Sequence, residues 1–143
     1  MKKKGVSVIV YDDMGKFYFL ILNRNSNWHG WEFPKASLNY DQELTREQEH
    51  VLLKSIMNEK LGILKYKIVS NFLERRIFED NGKEHNFSVF LVNASMNSPV
   101  SLNSDKHKTY LWSKEDSVFE KLTWDSERAV LEKALSFLKE NSK

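Results

Sequence analysis

The first part of the chain carries short apolar runs of the kind that form β-strands. Valine, isoleucine and aromatic residues fill Gly5 to Tyr11 and Phe17 to Leu22, and residues 12–16 between them are mostly polar and contain a glycine. This pattern predicts a β-hairpin. A polar segment from Arg24 to Gly30 then leads into a turn at Pro34-Lys35.

The centre of the chain changes to helical periodicity. Thr45 is followed three residues later by Gln48, which is the spacing of a capping box. An apolar stripe at helical spacing follows and consists of Leu52, Leu53, Ile56 and Met57. Gly62 stands where a helix would end. We therefore predict one helix that begins after Thr45 and ends before Gly62.

The second half of the chain repeats the order of strands followed by a helix. Lys67 to Arg76 is typical of one strand, and Ile77 to Val92 of a hairpin that folds at the Asn-Gly pair 81–82. Thr109 to Trp112 predicts a further short strand. An acidic loop then precedes an amphipathic helix, for which Asp125 or Ser126 is the expected N-cap.

The order of these elements predicts one α+β domain over residues 1–143. The chain contains no cysteine, which excludes disulfides, thiolate metal sites and cysteine nucleophiles. Its net charge is only +2, so bulk charge does not indicate a nucleic-acid-binding protein. There is no long apolar run and no secretory leader pattern. We therefore expect no membrane partner and an intracellular, cytoplasmic location.

The stretch from Trp31 to Ile63 carries the strongest indication of function. It opens with Trp31-Glu32-Phe33-Pro34-Lys35 and closes, after the predicted helix, with Glu59-Lys60-Leu61-Gly62-Ile63. Together with the order of elements, this stretch resembles the Nudix hydrolase superfamily, and the resemblance extends over nearly the whole chain. It implies an α/β/α sandwich with a mixed β-sheet between helices.

The resemblance also implies a chemistry. Nudix hydrolases cleave nucleoside diphosphates linked to another moiety, and their motif reads G, five residues, E, seven residues, then R-E-U-x-E-E-x-G-U, where U is a bulky aliphatic residue. Glutamates one turn apart on the helix bind Mg²⁺ or Mn²⁺ against the diphosphate and help to activate a water molecule. When the motif is aligned on Gly62-Ile63, Ser55 takes the position of the arginine, Ile56 that of the first glutamate, and Glu59-Lys60 that of the glutamate pair.

Most chemical positions of this motif are therefore substituted. Only Glu59 remains of the three carboxylates expected in the helix, and one carboxylate holds a hydrated Mg²⁺ weakly. The motif glycine after Pro-Lys falls on Ala36, and the segment from there to the helix is longer than in the motif. We predict that metal-dependent chemistry is absent or severely reduced, and that Mg²⁺ or Mn²⁺ binds only if the domain is active, with Glu59 as catalytic residue and metal ligand.

Within the superfamily the nearest likeness is to hydrolases of diadenosine tetraphosphate. It rests on the segment His107-Lys108-Thr109-Tyr110-Leu111-Trp112 and on the acidic loop and closing helix that follow. The resemblance implies that Tyr110 stacks on an adenine. It also implies an acidic residue directly before the histidine, where this chain has Lys106. Asp105, one residue earlier, is the candidate second metal ligand.

The candidate ligand-binding residues are Lys35, Lys60 and Tyr110. Lys35 is interpreted either as a phosphate contact or as an exposed turn lysine. Lys60 is a candidate phosphate contact, because a cation can take the place of a metal in holding an anion. Ile56 either faces the metal position or belongs to the apolar stripe, and the stripe is favoured. Among Trp28, Trp31, Trp112 and Tyr110, only Tyr110 is chosen as a base-stacking residue, since most large aromatic residues pack in a core.

Three functions remain open. The first is a catalytically degenerate Nudix domain that binds a nucleotide, an RNA end or a protein partner with little or no hydrolysis. The second is an active, metal-dependent pyrophosphohydrolase of dinucleoside or nucleoside polyphosphates. Its rearranged site would take metal ligands from Glu59, Asp105 and other carboxylates such as Glu32 or Glu49. The third is a structural subunit of a larger assembly.

Overall fold

The computed structural model of the protein describes residues 2–25, 29–39, 42–72, 74–80, 82–103 and 105–141. Trp28 and Asn81 lie outside these ranges. The strands are β1 (Lys3–Asp13), β2 (Phe17–Arg24), β3 (Gly30–Glu32), β4 (Lys35–Asn39), β5 (Lys67–Ile68), β6 (Glu74–Asp80), β7 (Lys83–Asn93) and β8 (His107–Lys114). The helices are α1 (Arg46–Lys54), which continues as a π-helix (Ser55–Lys60), α2 (Glu115–Lys121) and α3 (Asp125–Asn141).

The eight strands form one mixed sheet with β1 at its centre. β1 pairs parallel with β7 and antiparallel with β2 and β4. β3 and β8 add to β2, whereas β5 and β6 add to β7. The predicted opening hairpin is therefore confirmed as β1–β2, and the predicted second hairpin as β6–β7.

Alternate side chains of β1 build a core on each face of the sheet. Val8 packs in one apolar cluster with Ile56 and Met57 of the π-helix. Ile9 packs in the other cluster with Leu131 of α3, and α2 contributes to the same cluster. Because successive side chains of a strand point to opposite faces, this alternation places helices on both sides of the sheet. The α/β/α sandwich expected from the sequence is thus confirmed.

The central helix begins as predicted and changes form before it ends. The Thr45 hydroxyl accepts a hydrogen bond from the Gln48 N–H at 3.1 Å, and the Gln48 side chain accepts one from the Thr45 N–H at 2.8 Å. From Ser55 to Lys60 the helix is a π-helix, whose turns take in more residues than an α turn. Gly62 then has a φ of +70°, a conformation that glycine adopts without a steric penalty.

The predicted strand from Lys67 to Arg76 is wrong as a single element. It is divided into β5 and β6, and Asn71 between them has a positive φ of 69°. Strands β3 and β4 were not expected, because β3 has only three residues and β4 pairs with β1 at the start of the chain. The prediction of an acidic loop after Trp112 is also wrong, since residues Glu115–Lys121 form α2. None of the helices in the described ranges is both long and apolar enough to cross a bilayer.

A buried ion pair attaches α3 to the sheet. Glu127 is fully buried, and it accepts a hydrogen bond from the Phe33 N–H at 2.7 Å. Its carboxylate lies 3.8 Å from the guanidinium of Arg76, which is almost completely buried and donates to the Ser126 hydroxyl at 2.7 Å. Asp125 and Ser126 both lie within α3, so Ser126 holds Arg76 rather than standing before the helix as its cap.

Burial raises the pKa of Glu127 to about 7, although the charge of Arg76 opposes this shift. Glu127 stands three and four residues before Val130 and Leu131, on the apolar stripe of α3. In the sequence, an acidic residue within an apolar stripe is the signal that indicates a buried carboxylate.

Replacement of Thr45 by alanine removes the cap of α1. We expect Thr45→Ala to lower the free energy of unfolding by about 1 kcal/mol, because the Gln48 N–H loses its acceptor. Thr45→Ser keeps a hydroxyl and should retain most of the stability. Urea unfolding followed by circular dichroism measures both variants, and an equal loss in both would show that the hydroxyl does not stabilise the helix.

The raised pKa of Glu127 makes stability depend on pH. The folded-state pKa of about 7 lies above the ordinary value of 4.5, so the stability conferred by the neutral acid is present below pH 4.5 and is lost as the pH rises through 7. Glu127→Gln does not titrate. We expect it to gain about 2 to 3 kcal/mol relative to the unmodified protein between about pH 5 and about pH 9.

Urea unfolding at several pH values measures this difference. Glu120→Gln, on the exposed side of α2, is the matched control and should show no such gain. A constant difference between Glu127→Gln and the unmodified protein at all pH values would contradict the raised pKa.

Candidate functional site

A buried carboxylate, Glu32, organises the polar side chains at the end of β3. It is fully buried, and its Oε2 lies 2.7 Å from His107 Nε2 and 3.3 Å from the Arg24 guanidinium. Its Oε1 lies 3.2 Å from Lys35 Nζ. Burial raises the pKa of Glu32, but the hydrogen bond with His107 and the charges of Lys35 and Arg24 outweigh burial and lower the pKa to about 2. Glu32 is therefore ionised at neutral pH.

The register of three strands brings these groups together. Arg24 at the end of β2 pairs with His107 on β8 and with Gly30 on β3, and Leu22 pairs with Glu32. The register of the β2–β8 pairing shifts between Asn23 and Arg24, next to the polar side chains around Glu32. Sequence reasoning gave Glu32 only as an alternative metal ligand and gave His107 no role, because neither pairing is visible before the register is known.

Lys35 is a half-buried residue of β4 and not an exposed turn lysine. Its side chain is 21% exposed, and its ammonium lies 5.7 Å and 6.0 Å from the ring centroids of Phe78 and Phe87. Burial lowers the pKa of Lys35, and the carboxylate of Glu32 opposes this shift. Lys35 is thus already paired with Glu32 inside the protein, although Glu32 shares its charge with Arg24.

Lys60 approaches the same cluster from the end of the π-helix. Its Nζ donates a hydrogen bond to the backbone carbonyl oxygen of Lys35 at 2.9 Å. Burial lowers the pKa of Lys60, and the positive charges of Lys106 and Lys35 add to this shift, whereas Glu32 opposes it. Lys60 consequently lies within electrostatic reach of two other lysines and of the buried carboxylate of Glu32.

Backbone hydrogen bonds hold the segment between β7 and β8 against the π-helix. The Ser101 N–H donates to the Leu61 carbonyl at 2.9 Å, and the Asn103 N–H donates to the Lys60 carbonyl at 3.0 Å. The Asn25 N–H donates to the Lys106 carbonyl at 3.1 Å. These three bonds tie the end of β2 and the end of the π-helix to one segment, and they explain why Lys60 and Lys106 are neighbours.

The candidate metal ligands lie in different surroundings. Glu59 is exposed, and it accepts a hydrogen bond from the Ser55 hydroxyl at 3.2 Å. Asp105 is exposed as well. Glu49 accepts a hydrogen bond from the Ser88 hydroxyl. Across the described ranges, no three histidine, aspartate or glutamate side chains stand close enough to hold a metal ion together.

The donor set near Lys35 does not fit the Mg²⁺ or Mn²⁺ that the motif implies. Hard divalent cations take carboxylate and carbonyl oxygens as ligands. Here the Lys35 carbonyl accepts from the ammonium of Lys60, and Glu32 is already bound by two cations and a histidine. Ile56 is fully buried in the apolar core, so the core interpretation of Ile56 is confirmed.

Tyr110 is an exposed aromatic residue on the same face of the sheet as Glu32. It is 39% exposed and pairs with Leu22, which in turn pairs with Glu32. Cross-strand partners share a face, and two strand spacings separate Tyr110 from Glu32 by about 10 Å. Trp31 and Trp112 are partly buried against the two cores, as expected.

No protein-family model matches the chain, and no curated protein sequence matches it. Several solved structures do match the chain. The Ap4A hydrolase of C. elegans, in a binary complex, superposes with a TM-score of 0.81 at 22% identity over 95% of this chain and 97% of that one. The NUDIX domain of Shewanella oneidensis NrtR, complexed with ADP ribose, gives a TM-score of 0.72 at 11% identity over 96% and 89%.

A third solved structure extends this range of proteins. The C-terminal domain of mouse MUTYH, complexed with human PCNA, gives a TM-score of 0.67 at 14% identity over 96% of this chain and 90% of that one. At these low identities the similarity concerns the arrangement of strands and helices. The mixed sheet, the helices on both of its faces and these superpositions together establish that the chain has the Nudix fold.

Proposed function

We propose that this chain binds the phosphate end of a nucleotide or of an RNA through Lys60, with little or no metal-dependent hydrolysis. The observation that carries the proposal is the hydrogen bond from the Lys60 ammonium to the Lys35 carbonyl at 2.9 Å. Lys60 occupies the second glutamate position of the motif. A side-chain cation therefore stands where the motif of Nudix hydrolases supplies a metal ligand.

The electrostatics of this cluster favour an anion. Lys60 is partly buried, and Lys106 and Lys35 add positive charge around it. Among the groups that shift the pKa of Lys60, only the carboxylate of Glu32 opposes these positive charges. Glu32 is itself bound to Arg24 and Lys35. A phosphate oxygen that contacts Lys60 would relieve the repulsion and form a charge-assisted hydrogen bond. Lys35 supports the site from inside rather than as a direct contact.

Tyr110 supplies the second half of the proposed site. Its exposed ring lies on the same face as Glu32, about 10 Å away. Aromatic rings stack on any nucleobase, so Tyr110 is the proposed base contact. Glu32 lies within electrostatic reach of Lys60, which places the proposed phosphate contact at the same cluster. Nucleotide ligands in relatives of the same fold, such as the ADP ribose bound to NrtR, support this assignment.

The proposal of reduced hydrolysis rests on the loss of carboxylates from the helix. Glu59 bonds to Ser55 on an exposed surface, and the neighbouring motif positions hold Ile56 in the core and Lys60 in the cluster. A phosphate held by an ammonium is bound without the Lewis acid that a metal ion would provide. The proposed site therefore holds its ligand more readily than it activates a water molecule.

Nucleotide binding tests the role of Lys60. We expect isothermal titration calorimetry with ATP and with diadenosine tetraphosphate to give the same affinity with and without EDTA. Lys60→Ala should weaken binding about tenfold, because one charge-assisted hydrogen bond is lost. Lys65→Ala removes an exposed lysine outside the cluster and should leave binding unchanged. Turnover of about 1 per second in Mg²⁺, abolished by Glu59→Gln, would overturn the proposal in favour of an active hydrolase.

Charge reversal at Lys60 tests whether its ammonium excludes a metal. Lys60→Glu creates adjacent carboxylates at positions 59 and 60 and frees the Lys35 carbonyl. We expect this variant to gain Mn²⁺ binding in electron paramagnetic resonance titrations, because carboxylate and carbonyl oxygens suit the ion. Lys65→Glu makes the same change in net charge and should bind no more Mn²⁺ than the unmodified protein. If the unmodified protein binds Mn²⁺ as well as Lys60→Glu does, Lys60 does not replace a metal.

A further inference from the structure

Strand β6 lies at an edge of the sheet. It pairs with β7 on one side, and no strand of the described ranges pairs with its other side. An edge strand presents a row of backbone N–H and C=O groups that can pair with another chain. At the centre of this seven-residue strand, Ile77 is 56% exposed and offers an apolar contact.

We propose that β6 pairs antiparallel with β6 of a second copy of the chain, in a register centred on Ile77. The strand reads Glu-Arg-Arg-Ile-Phe-Glu-Asp from residue 74 to residue 80. Centred on Ile77, it places Ile77 opposite the partner's Ile77, and Arg75 opposite the partner's Glu79. The two-fold symmetry makes the Arg-Glu pair occur twice, once on each side of the apolar pair.

Two-fold symmetry limits the possible registers to those centred on a residue. With a two-fold axis normal to the sheet, each residue keeps its face, so a residue must stand at the centre of the paired strands. A register centred on Arg76 places two arginines opposite each other. A register centred on Phe78 places Ile77 opposite the partner's Glu79. The register centred on Ile77 pairs apolar with apolar and basic with acidic on the face that carries Arg75 and Ile77.

The other face of the strand is compatible with the same register. Arg76 comes opposite the partner's Phe78, and within one chain Arg76 already lies over the Phe78 ring at 4.1 Å from the centroid. Glu74 comes opposite the partner's Asp80, which alone would be repulsive. Lys133 lies 2.8 Å from Glu74 and balances that charge.

The size of the contact predicts a weak dimer. Seven residues of one strand bury less than the roughly 1,000 Å² that a stable interface needs. Association should therefore depend on concentration, with monomer at low micromolar protein and dimer at hundreds of micromolar. Charge pairs and an apolar centre give this contact its register rather than a high affinity.

Single cysteines provide a direct test, because the chain has none of its own. Residues directly opposite in an antiparallel pair have Cα atoms about 4.5 to 5.5 Å apart, which a disulfide spans. We expect Ile77→Cys to form a covalent dimer under mild oxidation. Val51→Cys places a thiol at a residue that is 68% exposed on α1, and it should stay monomeric. Equal cross-linking of the two variants would overturn the proposal.

Charge reversal tests the register independently. Arg75→Glu places two acidic residues opposite each other, and Glu79→Arg places two basic residues opposite each other, so each should abolish the dimer in sedimentation velocity. The double variant restores the pair with its charges exchanged and should recover the dimer. A monomeric unmodified protein at about 500 μM, where a weak contact of this size should form the dimer, or a double variant that stays monomeric, would overturn the proposal. Circular dichroism establishes that each variant is folded.

Discussion

The desolvated charge of Glu32 is the constraint on which the polar part of the structure depends. A buried carboxylate is tolerated only when cations and hydrogen-bond donors surround it. Arg24, Lys35 and His107 meet this requirement, and they come from three different strands. Their shared contact with one anion ties β2, β4 and β8 to β3, next to the apolar cores. The cluster thus determines where Lys60 finds its carbonyl acceptor.

In the proposed site, the ammonium of Lys60 takes the place that a metal ion has in the Nudix motif. An ammonium on a side chain is supplied by the chain itself, whereas a metal ion must be bound from solution at the expense of carboxylates. The two differ in strength and geometry. An ammonium donates hydrogen bonds as a compact single charge, and it brings no coordinated water. The proposed site would therefore hold an anion without a metal ion taken from solution.

Local signals were sufficient for part of this structure. The opening hairpin, the capping box of Thr45 and the glycine end at Gly62 depend on residues a few positions apart, and the sequence predicted each of them correctly. β4 pairs with β1 at the start of the chain, α2 packs against β2, and β3 has only three residues, so no local pattern indicated these elements. The same distinction applies to the site. Ile56 and Lys60 were found by their motif positions, whereas the pairing of Glu32 with His107 depends on strand register and the burial of Glu127 on tertiary packing.

The π-helix from Ser55 to Lys60 has a consequence for how such a motif is aligned. The wider turns from Ser55 to Lys60 change the direction in which side chains leave the helix. Upstream of Ser55, the α-helical spacing counted back from Gly62 no longer predicts which face a residue occupies. An inserted residue can be absorbed within the π-helix while Met57 and Leu61 keep their places in the core. The π-helix thus accommodates its wider turn while Met57 and Leu61 stay buried and Lys60 reaches the Lys35 carbonyl.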